Sequence, residues 1–217
     1  LTVTFKNLDI ADFNPILQKF GLNLQGKMND NVVLRSVFKD MTLTSNVTID
    51  DLVINDVKLG KAKFGFNNML SKNEFAADIR MSYNEPNSGQ IIPLSIKGRV
   101  NLKDKNDNLD LKVDMQEFDI RIIENYLSSL SSYVRGKISA ENLLVKGKFT
   151  QPHIAGSLKI KDGAMKIDML NTTYSFNDEL FVNDNIFTMD NFVLQDAQKN
   201  KITINGTITH DNFTNFD

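Results

Sequence analysis

Apolar and polar residues alternate with a period of two along most of this chain. Leu1, Val3 and Phe5 alternate with Thr, and Leu109, Leu111, Val113 and Met115 alternate with Asp and Lys. The same pattern runs through Ile92, Leu94 and Ile96 and on to Val100 and Leu102. It returns in Ile154, Leu158 and Ile160 and in Ile202, Ile204 and Ile208. Successive side chains on a strand point to opposite faces, so such runs predict strands with one apolar and one wet face. Between the runs stand the turn-formers Asn29-Asp30, Asn67-Asn68, Asn106-Asp107-Asn108, Asp162-Gly163 and Asn183-Asp184-Asn185. Short strands joined by such residues predict an antiparallel meander.

Two segments depart from the alternation, and they depart in the same way. Ile10, Phe13, Leu17 and Phe20 follow spacings of three, four and three, as do Ile120, Ile123, Leu127 and Leu130. That spacing makes one stripe of a short helix, which plugs or flanks the apolar face of the sheet. Asn14-Pro15 is expected as N-cap and first helical residue of the first helix, with Gly21 as its terminator.

The shared spacing points to an internal repeat. A shift of 110 positions aligns Val3 with Val113, Ile10 with Ile120, Leu17 with Leu127, Gly26 with Gly136, and Phe66-Asn67 with Phe176-Asn177. A shift of 108 aligns Ile96-Lys97-Gly98-Arg99-Val100 with Ile204-Asn205-Gly206-Thr207-Ile208. The expectation is two β-repeat units, 1–108 and 109–217, joined in the turn-rich stretch Lys103–Asn108.

Composition narrows the functions open to such a sheet. The 217 residues are 41% hydrophobic, enough for a sizeable core. The 25 basic and 27 acidic residues leave a formal charge of -2, which argues against nucleic acid as a partner. With no cysteine, no disulfide or thiolate metal site is available. The two histidines, His153 and His210, stand 57 positions apart with no ligand pattern around them. Ser36-Val37-Phe38-Lys39 matches the Ser-x-x-Lys of serine acyl-enzymes but sits in strand-like alternation without companion motifs. The Asp- and Asn-rich stretch Asp104–Asp110 lacks the spaced ligands and closing Glu of a calcium loop, and reads as a turn. Four Asn-x-Thr triplets, at Asn46, Asn171, Asn205 and Asn212, carry little weight in an Asn- and Thr-rich chain. No catalytic constellation or cofactor motif stands out, so the chain is expected not to be an enzyme and to need no cofactor.

The apolar face remains, and alternation alone leaves two readings of it. Two amphipathic sheets can close on each other as a sandwich, giving a structural or adhesive β-repeat with a closed core and no ligand. Alternatively, one sheet curls around a long apolar groove open to acyl chains.

Three stretches bear on that choice. Ile154-Ala155-Gly156-Ser157-Leu158-Lys159-Ile160-Lys161-Asp162-Gly163 is similar to a G-x-L-x-I-x-D-G turn. The run Phe192–Asp196, followed by Ile202–His210, is similar to a D-x-x-G…I-x-G-x-I-x-H closing. Asp51–Gly60 looks like a second unit ending. These patterns resemble the TamB-like translocation-and-assembly-module proteins of the AsmA-like superfamily. The chain departs from them at Lys199-Asn200, where a Gly is expected after Asp196. The resemblance implies an elongated, curved antiparallel sheet of the β-taco kind, carrying the two short helices. It implies an interior segment of a periplasm-spanning envelope bridge, anchored in the inner membrane through a segment outside this stretch. The implied role is phospholipid transport to the outer membrane, or protein assembly in it. Acyl chains would be the ligand, and an Omp85-type barrel a partner through another part of the protein. The implied groove-facing positions are Val3, Phe5, Leu94, Ile96, Leu111, Val113, Leu158, Ile160, Ile202 and Ile204.

Overall fold

In the computed structural model, residues 2–18, 22–35, 42–68, 73–85, 89–128 and 130–209 are described. Twelve strands account for most of them: β1 (Thr2–Asp9), β2 (Leu24–Arg35), β3 (Thr42–Ile54), β4 (Val57–Asn68), β5 (Glu74–Glu85), β6 (Gly89–Asn101), β7 (Leu109–Asp119), β8 (Ser131–Lys148), β9 (Gln151–Ile167), β10 (Thr172–Asn183), β11 (Ile186–Gln195) and β12 (Lys201–Thr209). They form one antiparallel sheet in strict chain order, each strand bonded to its neighbours in sequence. The fold class is therefore all-β, as the alternation predicts. The chain clusters into two compact units, Leu1–Val113 with Val145–Pro152, and Asp114–Leu144 with His153–Asp217.

Helical turns occur where the three-four-three stripes stand, but they are tighter than the stripes imply. Ile10–Phe13 is a 3-10 turn running into a single α-helical turn, Asn14–Leu17, and Ile120–Leu127 is 3-10 throughout. Phe20 and Gly21 lie outside the described residues. Another 3-10 turn, Asp168–Leu170, joins β9 to β10. Among the described residues no helix is long and apolar enough to cross a membrane.

The expected N-cap, Asn14, does a different job. Asp9 caps the first turn instead, its Oδ1 accepting from the Ala11 N–H at 3.0 Å. Asp119 does the same for Arg121, also at 3.0 Å. Both residues are extended with a short acceptor side chain, the combination an N-cap needs. Asn14 clasps the start of β2: its Nδ2 donates to the Leu24 carbonyl at 2.9 Å, and its Oδ1 accepts from the Leu24 N–H at 2.8 Å. That clasp offsets the clash with Pro15 that disfavours Asn14's helical backbone (φ -56°, ψ -35°).

Two of the predicted turns are not turns. Asn29-Asp30 lies inside β2 and Asp162-Gly163 inside β9, with Asp30 at φ 91° and Asp162 at φ 51°. Asp162 sits in a bulge, where β9 carries an extra residue and the ladder loses a bond, whereas Asp30 stays opposite Phe5 and the extra residue at that point belongs to β1, around Asn7. A lost bond is repaired by a device seen five times among the described residues. The bulge N–H donates to a side-chain oxygen: Asn7 to Asn29, Glu117 to Ser139, Asn142 to Asp114, Asp162 to Asn177, and Asn191 to Asn205. All five donors have φ between 48° and 54°. Asn106–Asn108 and Asn183–Asn185 do lie at strand connections.

Lys199, standing where the resemblance expects Gly, adopts φ 69°. Asp196 stabilises that loop by accepting from the Gln198 and Asn200 N–H groups at 2.8 and 2.9 Å.

Candidate functional site: the apolar sheet face

The register of the ladders shows which side chains share a face, since residues directly opposite point the same way. In the first unit one row runs Leu8, Met28, Ile49, Ala62, Met81 and Leu94 across six strands. A parallel row runs Val47, Phe64, Ile79 and Ile96, and a third Val3, Val32, Ser45, Phe66, Ala77 and Gly98. The opposite face is polar, as in the row Asn29, Thr48, Lys63, Arg80 and Ser95.

Burial along these rows is graded. Ile49, Ala62, Met81, Val47 and Ala77 are buried, whereas Leu8, Met28, Leu94, Phe64, Ile79 and Ile96 are half-buried. Val3 and Phe5 on β1 are half-buried as well, and β7 contributes half-buried Leu111 and buried Val113.

The second unit repeats the arrangement around an aromatic centre. Leu158 stands opposite Leu180, and Leu180 opposite Met189. Phe192 faces Ile204, and Leu194 faces Ile202. Ile160, Tyr174, Phe176, Phe192 and Leu194 form a buried cluster, with Leu180, Met189 and Ile204 packed against it. The Phe176 and Phe192 rings lie 5.5 Å apart, tilted by 46°, within the favourable range for aromatic pairs. Leu158 is half-buried, and Ile202 on the last strand is exposed.

The ten residues singled out from sequence thus divide by unit. Val3, Phe5, Leu94, Ile96, Leu111 and Val113 lie in the first, and Leu158, Ile160, Ile202 and Ile204 in the second. Sequence reasoning passed over the aromatic part of the same face. Phe64 and Phe66, Tyr174 and Phe176, and the pair Phe192 and Leu194 carry the same period-two signal and share these rows.

Polar groups elsewhere are committed to structure. Asp104 caps its own turn, accepting from the Asn106 and Asp107 N–H groups at 2.8 and 2.9 Å, and these bonds hold its carboxyl below the usual range. Asp107 pairs with Arg99 at 2.6 Å and Asp110 with Lys146 at 3.5 Å. Buried Asn108 ties the connection together, donating to the Asn101 and Asp104 carbonyls at 2.8 and 2.6 Å. His153 pairs with Asp184 at 2.9 Å on the surface. His210, the Ser36–Lys39 motif and the Asn212 triplet lie outside the described residues. Among the described residues no cluster of three or more His, Cys, Asp or Glu is placed to hold a metal ion. What the face offers chemically is apolar contact, from rows of Leu, Ile, Met and Phe joined by Tyr174 in the second unit. No family model matches the chain, and neither does any curated protein or solved structure.

Proposed function

We propose that the apolar sheet face binds acyl chains, and that the protein serves as a lipid-conducting segment of an envelope bridge. One observation carries the reading: all twelve strands belong to a single sheet, and its apolar rows include half-buried Leu94, Ile96, Leu111, Leu158 and Ile204. In a sandwich a second sheet covers such positions and packs them to crystalline density. Apolar area left partly wet gains about 25 cal/mol per Å² when an acyl chain covers it. A row of aliphatic side chains without hydrogen-bonding groups favours a chain that slides over one held in a fixed pose. The periplasmic location, the inner-membrane anchor and the Omp85-type barrel belong to this reading and rest on the family resemblance alone.

A closed, ligand-free core is the second reading, and the buried cluster of Ile160, Tyr174, Phe176, Phe192 and Leu194 favours it. Photo-cross-linking separates the two. A photoreactive side chain at Leu158 is expected to capture phospholipid in a Gram-negative host, and one at Lys159, its exposed neighbour, to capture none. Equal labelling at both positions, or none at either, rejects the lipid reading. Leu158→Asp sharpens the result: a folded chain that has lost its lipid supports the groove, and an unfolded chain supports the closed core.

A further inference from the structure

Within the second unit, the corner between β7 and β8 is tied to the turn between β9 and β10. The Asp168 N–H donates to the Leu130 carbonyl at 3.2 Å, and the Ser132 Oγ donates to Asp168 Oδ1 at 2.6 Å. What this junction holds up is apolar. Met169 is 90% exposed and Leu170 52%, and Ile123, Leu130 and Tyr133 on the other side of the junction are exposed as well. Single exposed apolar residues are common, but turn tips ordinarily select polar ones, so an adjacent Met and Leu need a reason. The tip is also held in one shape. The Asn171 N–H donates to the Asp168 carbonyl at 3.0 Å with Asn171 left-handed at φ 47°, and the Thr172 Oγ1 donates to the Leu170 carbonyl at 2.9 Å. Backbone groups bonded internally in this way lose less on leaving water.

Charge indicates what such a tip fits. The two connections and the strand ends beside them carry four cations, Arg121, Arg135, Lys137 and Lys166, against three carboxylates, Asp119, Glu124 and Asp168. That local surplus runs against the chain's formal charge of -2. The carboxylates are committed: Asp119 to Arg121 and Lys137 at 2.8 and 3.5 Å, Glu124 to the Val134 N–H at 3.3 Å, and Asp168 to Ser132 and, at 3.9 Å, to Lys166. Arg135 pairs with no carboxylate among the described residues. Its guanidinium lies 5.1 Å from the centre of the Tyr133 ring, which leans the charge toward the start of β8. An aromatic ring with a cation over it, beside exposed aliphatic side chains, suits the boundary between lipid headgroups and acyl chains. A protein partner would need a pocket matched to this convex tip, whereas a fluid bilayer deforms around it. We infer that the corner docks on an anionic lipid surface, with Met169 and Leu170 entering among the headgroups and Arg135 meeting lipid phosphate. The contact is made by the turn and the corner rather than by the apolar sheet rows, so it does not rest on the acyl-groove reading.

Because the protein has no cysteine, a single attached dye reports on the tip alone. Met169→Cys carrying an environment-sensitive fluorophore is expected to shift to the blue on mixing with phosphatidylcholine vesicles that contain phosphatidylglycerol. The same dye on Lys159→Cys, at an exposed position of β9, is expected to keep its emission in water. Co-flotation with these vesicles measures the affinity. Met169→Ser combined with Leu170→Ser should weaken it at least about tenfold. Both side chains are exposed, so circular dichroism should be unchanged. Arg135→Gln should weaken it about fivefold on these vesicles and leave binding to pure phosphatidylcholine as it was. A wild-type chain that stays off the vesicles overturns the inference, and so does a serine double variant or an Arg135→Gln chain that floats as the wild type does. A blue shift at position 169 that grows with protein concentration in the absence of vesicles makes the tip a contact between copies, and overturns it too. Phospholipid captured at Leu158 by a chain that does not float leaves the groove reading standing, and flotation without capture at Leu158 does the reverse, so the two proposals fail separately.

Discussion

The corner between β1 and β2 and the corner between β7 and β8 are made from the same parts, 110 positions apart, but the parts are buried to different depths. In the first, Asp9 caps the helical turn and pairs with Lys27 at 2.6 Å. In the second, Asp119 caps its turn, pairs with Lys137 at 3.5 Å and also grips Arg121 at 2.8 Å. The Asp9 side chain is 44% exposed and that of Asp119 only 15%. Glycines at φ +142° (Gly26) and φ +133° (Gly136) follow each corner. The cap itself is the same in both, but Arg121 stands where the first corner has Ala11 and adds a second cation to Asp119. Burial then widens the difference, because charge interactions strengthen as water is withdrawn.

The largest expected effect tests what the corners share. Ile10 is 1% exposed and Ile120 6%, so Ile10→Asp and Ile120→Asp each place an unpaired carboxylate in apolar surroundings. Each should cost several kcal/mol and abolish the cooperative thermal transition. Their stripe-mates Phe13 and Ile123 are exposed, and Asp at either should move stability by less than about 0.5 kcal/mol. Equal damage from Phe13→Asp and Ile10→Asp would mean that the stripe packs as a whole face.

Next come the glycines. A Cβ on Gly26 would lie 2.9 Å from the Asp50 carbonyl oxygen, and one on Gly136 2.9 Å from the Gly163 Cα. With both backbones in the left-handed half of conformational space, Gly26→Ala and Gly136→Ala should each cost about 1–3 kcal/mol in urea unfolding. Alanine at Gly206, where a Cβ would meet nothing within 4 Å, should be close to neutral.

The caps sharpen the difference itself. Asp119→Ala should cost about 1–2 kcal/mol, as loss of a good N-cap does, and Asp9→Ala less. The Asp9 carboxyl is held below its usual range by Lys27 and by the Ala11 N–H. At Asp119 burial pushes the carboxyl up, but the Arg121 side chain and N–H together with Lys137 outweigh it, and the net shift is down. A carboxyl lowered in the folded state binds fewer protons there than in the unfolded chain. Its stabilisation is present above the unfolded value of about 3.9 and is lost as pH falls through the folded one. Stability should therefore fall on acidification below about pH 4, and Asp119→Ala should flatten that fall more than Asp9→Ala. The reverse order would show that neither burial nor the Arg121 contact sets the worth of the cap.

The smallest effect concerns the bulges beside the corners. Asn29 holds the Asn7 N–H at 2.8 Å and Ser139 the Glu117 N–H at 3.2 Å. Asn29→Ala and Ser139→Ala should each cost about 0.5–1.5 kcal/mol, the shorter bond more. Amide hydrogen exchange at Asn7 and Glu117 should accelerate in the matching variant alone.

Much of this was legible in the chain. Alternation assigned Leu94, Ile96, Leu111, Val113 and Leu158 to strands and to an apolar face, because a period of two is a property of any strand whatever surrounds it. The paired stripes at Ile10 and Ile120 marked both helical corners. Asn29-Asp30 and Asp162-Gly163 misled for a physical reason. Asn, Asp and Gly tolerate left-handed backbone equally in a turn and in a bulge. Whether the strand then stops or continues depends on partners such as Asn177, whose oxygen caps the Asp162 N–H from β10. The 3-10 form of the corners and Asn14's clasp on Leu24 were hidden in the same way, since each answers to a neighbouring strand.

What the sequence determined by itself is which side chains share a face; what only the tertiary structure decided is which of them are covered. Ile160 and Ile202 stand in equally regular alternation, yet one is 8% exposed and the other 44%. Ile160 lies in a strand flanked on both sides and within an aromatic cluster, whereas Ile202 lies in the last strand of the order. The direction of a side chain is set by its own backbone, and its burial by how many strands lie alongside.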